Sequence, residues 1–231
     1  MGQKTNPIGF RTGITLDWKS RWYAPKAAYG EFLIEDHRIR KFLDERLNRR
    51  NPYAAVSKIE IERTRSDVRV VLHTARPGLV IGPKGAEVDK LREELENLVD
   101  RKITVNIVEI KNPDLDAQLV SEALAEQLKK RVSFRRAMKM RCDATMAAGA
   151  KGIRIQCSGR LGGAEMARCE TQKRGSIPLQ SLQSNVDYGY GVARTTYGAI
   201  GVKVWVFLGK FGEEITAVAP EAHRGRRRAR L

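Results

Sequence analysis

No stretch of this chain approaches the roughly 20 consecutive apolar residues that a membrane-spanning helix requires. The longest apolar run, around Val202 to Leu208, is interrupted by Lys203. The initial Met-Gly is followed by Asn6 where a myristoylation signal carries Ser or Thr, and no charged-then-apolar leader follows. Cysteine is scarce. Cys142, Cys157 and Cys169 are odd in number, lack C-x-x-C spacing and have no nearby pair of histidines, which argues against a disulfide framework and against a zinc site. His37, His73 and His223 lie in unrelated contexts. With no clustered Asp/Glu/His set and no nucleophile–base motif, a metal-dependent nuclease or a lysine-based lyase is disfavoured. The expectation is a reduced, cytoplasmic protein that needs no metal or cofactor and is not an enzyme.

What the chain has in excess is positive charge: 43 Lys and Arg stand against 27 Asp and Glu, a net +16. A field of that sign attracts polyanions. Nucleic acid is the leading partner class, and an anionic membrane surface is the rival. With 42% hydrophobic and 30% charged residues over 231 positions, the chain can bury a core and is long enough for two ordinary domains.

Punctuation and periodicity divide the chain. Residues 1–16 hold Gly2, Pro7, Gly9 and Gly13 among polar residues and read as an irregular arm charged by Lys4 and Arg11. From Glu31 to Asn48, Phe32, Ile39, Phe42, Leu43 and Leu47 recur at helical spacing, and Asn51-Pro52 ends the helix. Two alternating runs follow, Lys58 to Arg63 and Val68 to Thr74, and both predict strands. Arg76-Pro77-Gly78 leads into a brief apolar turn, Leu79-Val80-Ile81, and then into Gly82-Pro83-Lys84-Gly85. A helix with an apolar face of Val88, Leu91, Leu95, Leu98 and Val99 comes next, its charged side reading as plain solvated surface. Ile103, Val105 and Ile107 then alternate as a third strand.

Lys111 to Asp114 reads as a linker and helix start, with Asn112 as N-cap and Pro113 at the first helical position. Leu115, Leu119, Leu124 and Leu128 predict a helix to about Arg131, and Ser133 can cap a second helix ending at Gly149. Ile153, Ile155 and Cys157, then Val186, Tyr188 and Tyr190, then Val202, Val204 and Val206 alternate as strands. The fold class is therefore α+β, with one domain at residues 17–111 and a two-layer domain of two helices and an antiparallel sheet at residues 112–212. Residues 213–231 end in Arg224, Arg226, Arg227, Arg228 and Arg230, a block that reads as a disordered, polyanion-seeking tail.

Three features carry chemistry. The two glycines of Gly82-Pro83-Lys84-Gly85 let a backbone pass close to a nucleic-acid backbone at a helix N-terminus. A bare G-x-x-G is also a common tight turn, and the order of flanking elements is what makes it specific. Pro83 brings neither charge nor N–H, so Lys84 is the loop's only cation. The second feature is Arg135, Arg136 and Lys139 on one side of the helix after Ser133. Arg135 and Arg136 sit in a first turn, where cations are disfavoured by up to about 1 kcal/mol each, and an outside anion would offset that. Lys129, Lys130 and Arg131, by contrast, end a helix where the macrodipole favours them. The third is Ser158 to Glu165, a glycine-rich turn with Arg160, Gly162 and Gly163 ahead of an expected short helix bearing Arg168; an ordinary hairpin turn is the alternative. Trp18, Trp22 and Tyr23 beside Lys19 and Arg21 suit either base stacking or packing.

Residues 31–110 resemble a type II KH domain (α-β-β-α-α-β) throughout. The whole chain resembles the bacterial small-subunit ribosomal protein S-three family. The resemblance rests on Gly2-Gln3-Lys4, Pro7, Gly9, Arg11 and Gly13-Ile14, on His73 through Gly85, on Ser158 through Glu165, and on Thr195-Thr196-Tyr197-Gly198 through Trp205. It implies a place in the head of the small subunit, with contacts to ribosomal RNA for which Lys4, Arg11, Arg160, Gly162, Gly163 and Arg168 are candidates. It also implies that Arg135, Arg136 and Lys139 line the mRNA channel and help unwind mRNA. The neighbours it implies are S-ten and S-fourteen, with S-four and S-five across the channel. A free KH regulator of single-stranded RNA is the alternative; basic extensions and a large second domain favour the ribosomal reading.

Overall fold

The computed structural model describes residues 4–49, 53–64 and 67–212. The expected helix stop at Asn51-Pro52, the pair Gly2-Gln3 and the 213–231 tail lie outside the described residues.

The arm is not wholly irregular: Asn6 caps a five-residue helix, α1 (Pro7–Arg11), accepting from the Ile8 and Gly9 amides with Pro7 at the first turn. A two-residue strand, β1 (Ser20–Arg21), follows. The long helix α2 spans Lys26–Leu43 and continues as a π-helical turn over Asp44–Asn48. It begins five residues before the apolar period does, because Lys26-Ala27-Ala28 favour helix without facing a core. Strands β2 (Val56–Arg63) and β3 (Asp67–Thr74) form an antiparallel pair, and β4 (Lys102–Glu109) adds parallel to β3. Between them stand α3 (Pro77–Ile81), a tight 3-10 turn at Pro83–Gly85, and α4 (Ala86–Val99). The sheet order is β1-β2-β3-β4, with β1 parallel to β2.

Alternation decides which face is covered. Ile61, Val68, Val70, Leu72 and Ile103 point to one side and pack with Ile39 and Leu43 of α2 and Leu91, Leu95 and Val99 of α4. The charged side of α4 is not all plain surface: Glu94 pairs with Arg46 at 2.5 Å, and Glu96 accepts from the Ile103 amide.

The chain then makes a 3-10 turn at Pro113–Leu115, and α5 (Ala117–Lys129) starts four residues later than expected. Asp116, not Asn112, supplies the side-chain cap, accepting from the Leu119 amide at 3.0 Å. Helix α6 spans Phe134–Ala147; Ser133 holds its N-cap position without a side-chain bond. Strands β5 (Gly152–Gly159), β6 (Arg168–Gly175), β7 (Ser184–Thr195) and β8 (Gly198–Lys210) form an antiparallel sheet ordered β6-β5-β8-β7. Both helices lie on the side of Ile153, Ile155, Val202, Val204 and Val206. The architecture is α+β, a KH-type unit followed by a helix layer on a four-stranded antiparallel sheet.

One further sequence expectation fails here. No helix follows the glycine-rich turn: after a 3-10 turn at Leu161–Gly163, residues Arg168–Gly175 form β6. Polar throughout, this edge strand has no apolar alternation to betray it. In β7 the alternating Val186, Tyr188 and Tyr190 do not face the helices. Gly189, Gly191 and Ala193 do, because α5 lies almost on the strand backbone. A Cβ at Gly189 would stand 2.1 Å from the Ala117 carbonyl oxygen.

That close approach generates a prediction. Gly189→Ala forces α5 off the sheet and costs about 3 kcal/mol, a fall in Tm of roughly 10 °C for a chain of this length. An unchanged thermal transition would refute this account of the α5–β7 contact.

Candidate RNA-binding surfaces

At the glycine loop the two glycines do different work. Gly82 has φ 69°, and a Cβ there would lie 2.6 Å from Glu87 Cγ, so the fold itself excludes any side chain. Gly85 also has a positive φ, 82°, as the residue before α4, but a Cβ there would meet nothing within 4 Å. The backbone at Gly85 is thus open to close approach from outside, while Gly82 closes the turn from within. Pro83 and Lys84 form the 3-10 turn between them.

The basic residues of α6 project as the spacing predicts. Arg135, Arg136 and Lys139 are all exposed, while Ala137, Met138 and Cys142 face the core. The first turn of α6 carries no acidic residue. Among the described residues Arg136 and Lys139 have no ion pair. Arg135 is 3.8 Å from Glu170 and lies over the Phe134 ring, and Arg168 reaches both the same carboxylate, at 3.9 Å, and the same ring. Strand β6 therefore brings Arg168, the cross-strand partner of Gly159, to the α6 cluster, and Glu170 lies near two guanidinium groups at once. Sequence reasoning missed both placements, because they depend on an edge strand it did not find.

The glycine-rich turn is braced internally. Arg160 Nε donates to the Ala164 carbonyl at 2.9 Å, and its guanidinium reaches the Tyr197 carbonyl and ring. Gly162 and Gly163 both have positive φ, and Gly163 lies under the Tyr197 ring. Lys4 is exposed. Trp22 packs against Tyr29 and Phe32 and donates to Asp36, so it serves the fold and not base stacking; Trp18 and Tyr23 remain exposed.

Arg11 corrects an expectation. Proposed from sequence as an RNA contact, it is fully buried, and its guanidinium donates to the carbonyls of Pro7, Pro178, Leu179, Ser181 and Ser184 at 2.8 to 3.4 Å. A fork of five N–H donors suits a ring of carbonyls that approaches from several directions. It ties the arm to the segment before β7 and is closed to any phosphate. Arg11→Ala should cost about 3 kcal/mol by orphaning buried carbonyls. The salt slope of RNA binding by the folded protein should stay as in the wild type, whereas a lost phosphate contact lowers it by roughly 0.7 to 0.9. A drop of that size would restore Arg11 as an RNA ligand.

The family described as KH domain matches residues 38–115, and the family described as Ribosomal protein S3, C-terminal domain matches residues 124–206. The small ribosomal subunit protein uS3 of Pelotomaculum thermopropionicum is 52% identical over 229 residues, covering 99% of this chain and 97% of that protein. The uS3 proteins of Rhodopirellula baltica and Geobacter metallireducens are 53% and 55% identical, covering 93% and 91% of this chain and 91% and 97% of their own lengths. The chain belongs to the uS3 family.

Between the two matched regions this family member has a polar seam. Tyr53 donates to Glu122 at 2.5 Å, and Ser57 donates to Asp116. A cavity of about 860 Å³ opens beside them, lined in part by Trp18, Lys19, Arg40, His73, Asp116 and Asp187. Burial, then the neighbouring Asp116 charge, raises the pKa of Asp187 above its ordinary 3.8, against the pull of the Ala117 and Tyr188 amides and of Lys19. Burial likewise raises Glu122 and lowers Lys19. Among the described residues no group of three His, Cys, Asp or Glu side chains is placed to hold a metal, and no helix is long and apolar enough to cross a membrane.

A carboxyl whose folded-state pKa is raised stabilises the fold in its protonated form. That contribution is complete below the ordinary value and is lost as pH rises through the raised one. Measured against an Asp187→Asn variant between about pH 4 and 7, the wild type should therefore lose stability as pH increases. Parallel stability curves for the two proteins would exclude Asp187 as the responsible group.

Proposed function

We propose that Arg135, Arg136 and Lys139 line the path by which mRNA enters the small subunit, where they grip single-stranded phosphates and so help open structured message. As a uS3 protein the chain is a constituent of the small ribosomal subunit with an RNA-binding KH domain, and its role is structural and RNA-binding, not enzymatic. The observation that supports the channel reading is the first turn of α6. Two exposed arginines stand where the helix dipole opposes positive charge, with no acid in that turn. Arg136 and Lys139, three residues apart on one face, have no internal ion pair among the described residues, so a phosphate backbone supplies the missing anion. Arg168 belongs to the same surface through Phe134 and Glu170.

In this reading residues 17–111 form the KH unit that docks on ribosomal RNA through the open backbone at Gly85, and residues 112–212 present the channel surface. Lys4 and the Arg160, Gly162 and Gly163 turn remain candidate ribosomal RNA contacts. S-ten and S-fourteen are the expected neighbours in the head, with S-four and S-five across the channel, and the site of action is the cytoplasmic small subunit.

The test replaces Arg135, Arg136 and Lys139 together with Ala. The variant should still sediment with small subunits, because none of the three side chains packs in the core, and translation through a stable mRNA hairpin should slow relative to an unstructured message. Hairpin passage at the wild-type rate removes the channel role. Wild-type protein that stays at the top of the gradient removes the ribosomal one.

A further inference from the structure

We propose that the outward face of the β5–β8 sheet is a second RNA-binding surface, which takes unpaired nucleotides by stacking and phosphate contact. The proposal rests on the reading of the chain as an RNA-binding protein and goes beyond it by naming a platform distinct from the Gly85 loop and the α6 cluster. Helices α5 and α6 cover one side of the sheet; strand register shows what the other side holds. Lys173, Arg154, Trp205 and Tyr188 are cross-strand neighbours in a single row through all four strands. In the next row Lys203 pairs with Tyr190. Arg194, further along β7 on the same side, is also exposed. The two acids of these strands face the other way, Glu170 opposite Cys157 and Asp187 opposite Val206.

The blander reading is a row of cross-strand pairs that stabilises an open sheet. It fits Tyr188 against Trp205, with ring centroids 5.4 Å apart. It does not fit the charges. Lys173 stands directly opposite Arg154 on the adjacent strand, an arrangement that repels, and no acid on this face relieves it. A polyanion would. Arg154 also sits over Trp205, its guanidinium carbon 5.0 Å from the ring centroid, and its Nε is buried without a hydrogen-bond partner. Tyr190 is 49% exposed beside Lys203. Aromatic rings and a stacked guanidinium spread over a sheet and edged with cations are the means by which proteins hold unpaired bases, since every base has a face to stack and a phosphate beside it. An acidic protein segment would satisfy the charges but would leave the exposed ring without a stacking role.

The face carries its own probe. Cys169, in the row beyond Lys203, is exposed, whereas Cys142 and Cys157 are buried and their thiols are pushed up to about 11 and about 12, chiefly by burial. Cys169 is therefore the thiol that reacts under native conditions. The experiment measures full-length protein against a short unstructured oligoadenylate, by fluorescence anisotropy across a salt series and by the rate of Cys169 modification. Tyr190→Ala should weaken binding about tenfold, Tyr190→Phe should restore it, Lys203→Glu should weaken it and flatten the salt dependence, and RNA should protect Cys169. Wild-type affinity in both Tyr190→Ala and Lys203→Glu overturns the proposal. Weakening by Lys203→Glu alone, with Cys169 unprotected, reports only the overall field and overturns it as well. In either case loss of binding in Gly85→Asp leaves the KH surface and the ribosomal reading standing, whereas wild-type protein that binds no RNA removes both. If subunits assembled with Lys203→Glu lack a neighbouring protein while RNA binding is intact, the face belongs to that protein and the proposal falls.

Discussion

An excess of positive charge has to be held in a folded chain whose acids are too few to neutralise it, and the placement of those acids organises the molecule. Most of the described carboxylates serve the first half of the chain. Glu35 and Asp36 hold Arg63 and Arg101; Glu87 and Glu94 hold Arg46; Glu60 and Glu62 face Arg21, Lys58 and Arg69. The exposed pairs among them contribute little to stability individually, whereas Arg63 with Glu35 and Asp36 is buried. Their effect is to leave the KH-type unit close to internally balanced, so that the unrelieved field concentrates on α6 and on the outward side of the second sheet. Both surfaces keep cations at positions where elementary electrostatics disfavours them, a helix first turn and a like-charged cross-strand pair. Such positions suit an external polyanion.

The arm shows the complementary use of a cation. Arg11 is buried without a carboxylate because five carbonyl oxygens replace its hydration, and a guanidinium is the one cation with enough fixed donors to accept that exchange. α1 therefore packs against the C-terminal layer although it is the first element of the chain, and the segment joining it to α2 adds β1 to the edge of the KH-type sheet. The chain is stitched at both ends of the seam: by the arm, and by Tyr53 and Ser57 reaching Glu122 and Asp116.

Much of this was legible in the sequence. Periodicity located both cores, since Ile39, Leu91 and Leu95 recur at helical spacing and Val68, Val70 and Leu72 alternate. It also located the exposed face of α6, since Arg135, Arg136 and Lys139 share one side while Ala137 and Cys142 share the other. What escaped follows from long-range geometry. An all-polar edge strand has no pattern to read, so β6 and with it the Arg168–Glu170 link were invisible. The alternation of Val186, Tyr188 and Tyr190 announced β7 but not which of its faces meets α5, because glycine at 189 and 191 matters only once α5 is known to lie on them. Arg11 looked like any arm cation until the carbonyls more than 160 residues away closed around it.

Joining the proposed surfaces in one chain lets individually weak contacts suffice. The Gly82–Gly85 loop has a single lysine, with proline where a cation and an N–H are missing, and no side-chain cap bond at the start of α4. When a second basic surface is fixed to it through a seam of hydrogen-bonded side chains, engagement of one surface raises the effective concentration of RNA at the other, and affinities combine without a strong contact at either. The seam's geometry then matters as much as the charges: a hinge free to swing would forfeit the gain, since the linked sites would seldom meet the same RNA together. The Tyr53–Glu122 hydrogen bond and the Arg11 clamp therefore bear on the proposed RNA recognition indirectly, by joining the elements that carry the proposed surfaces.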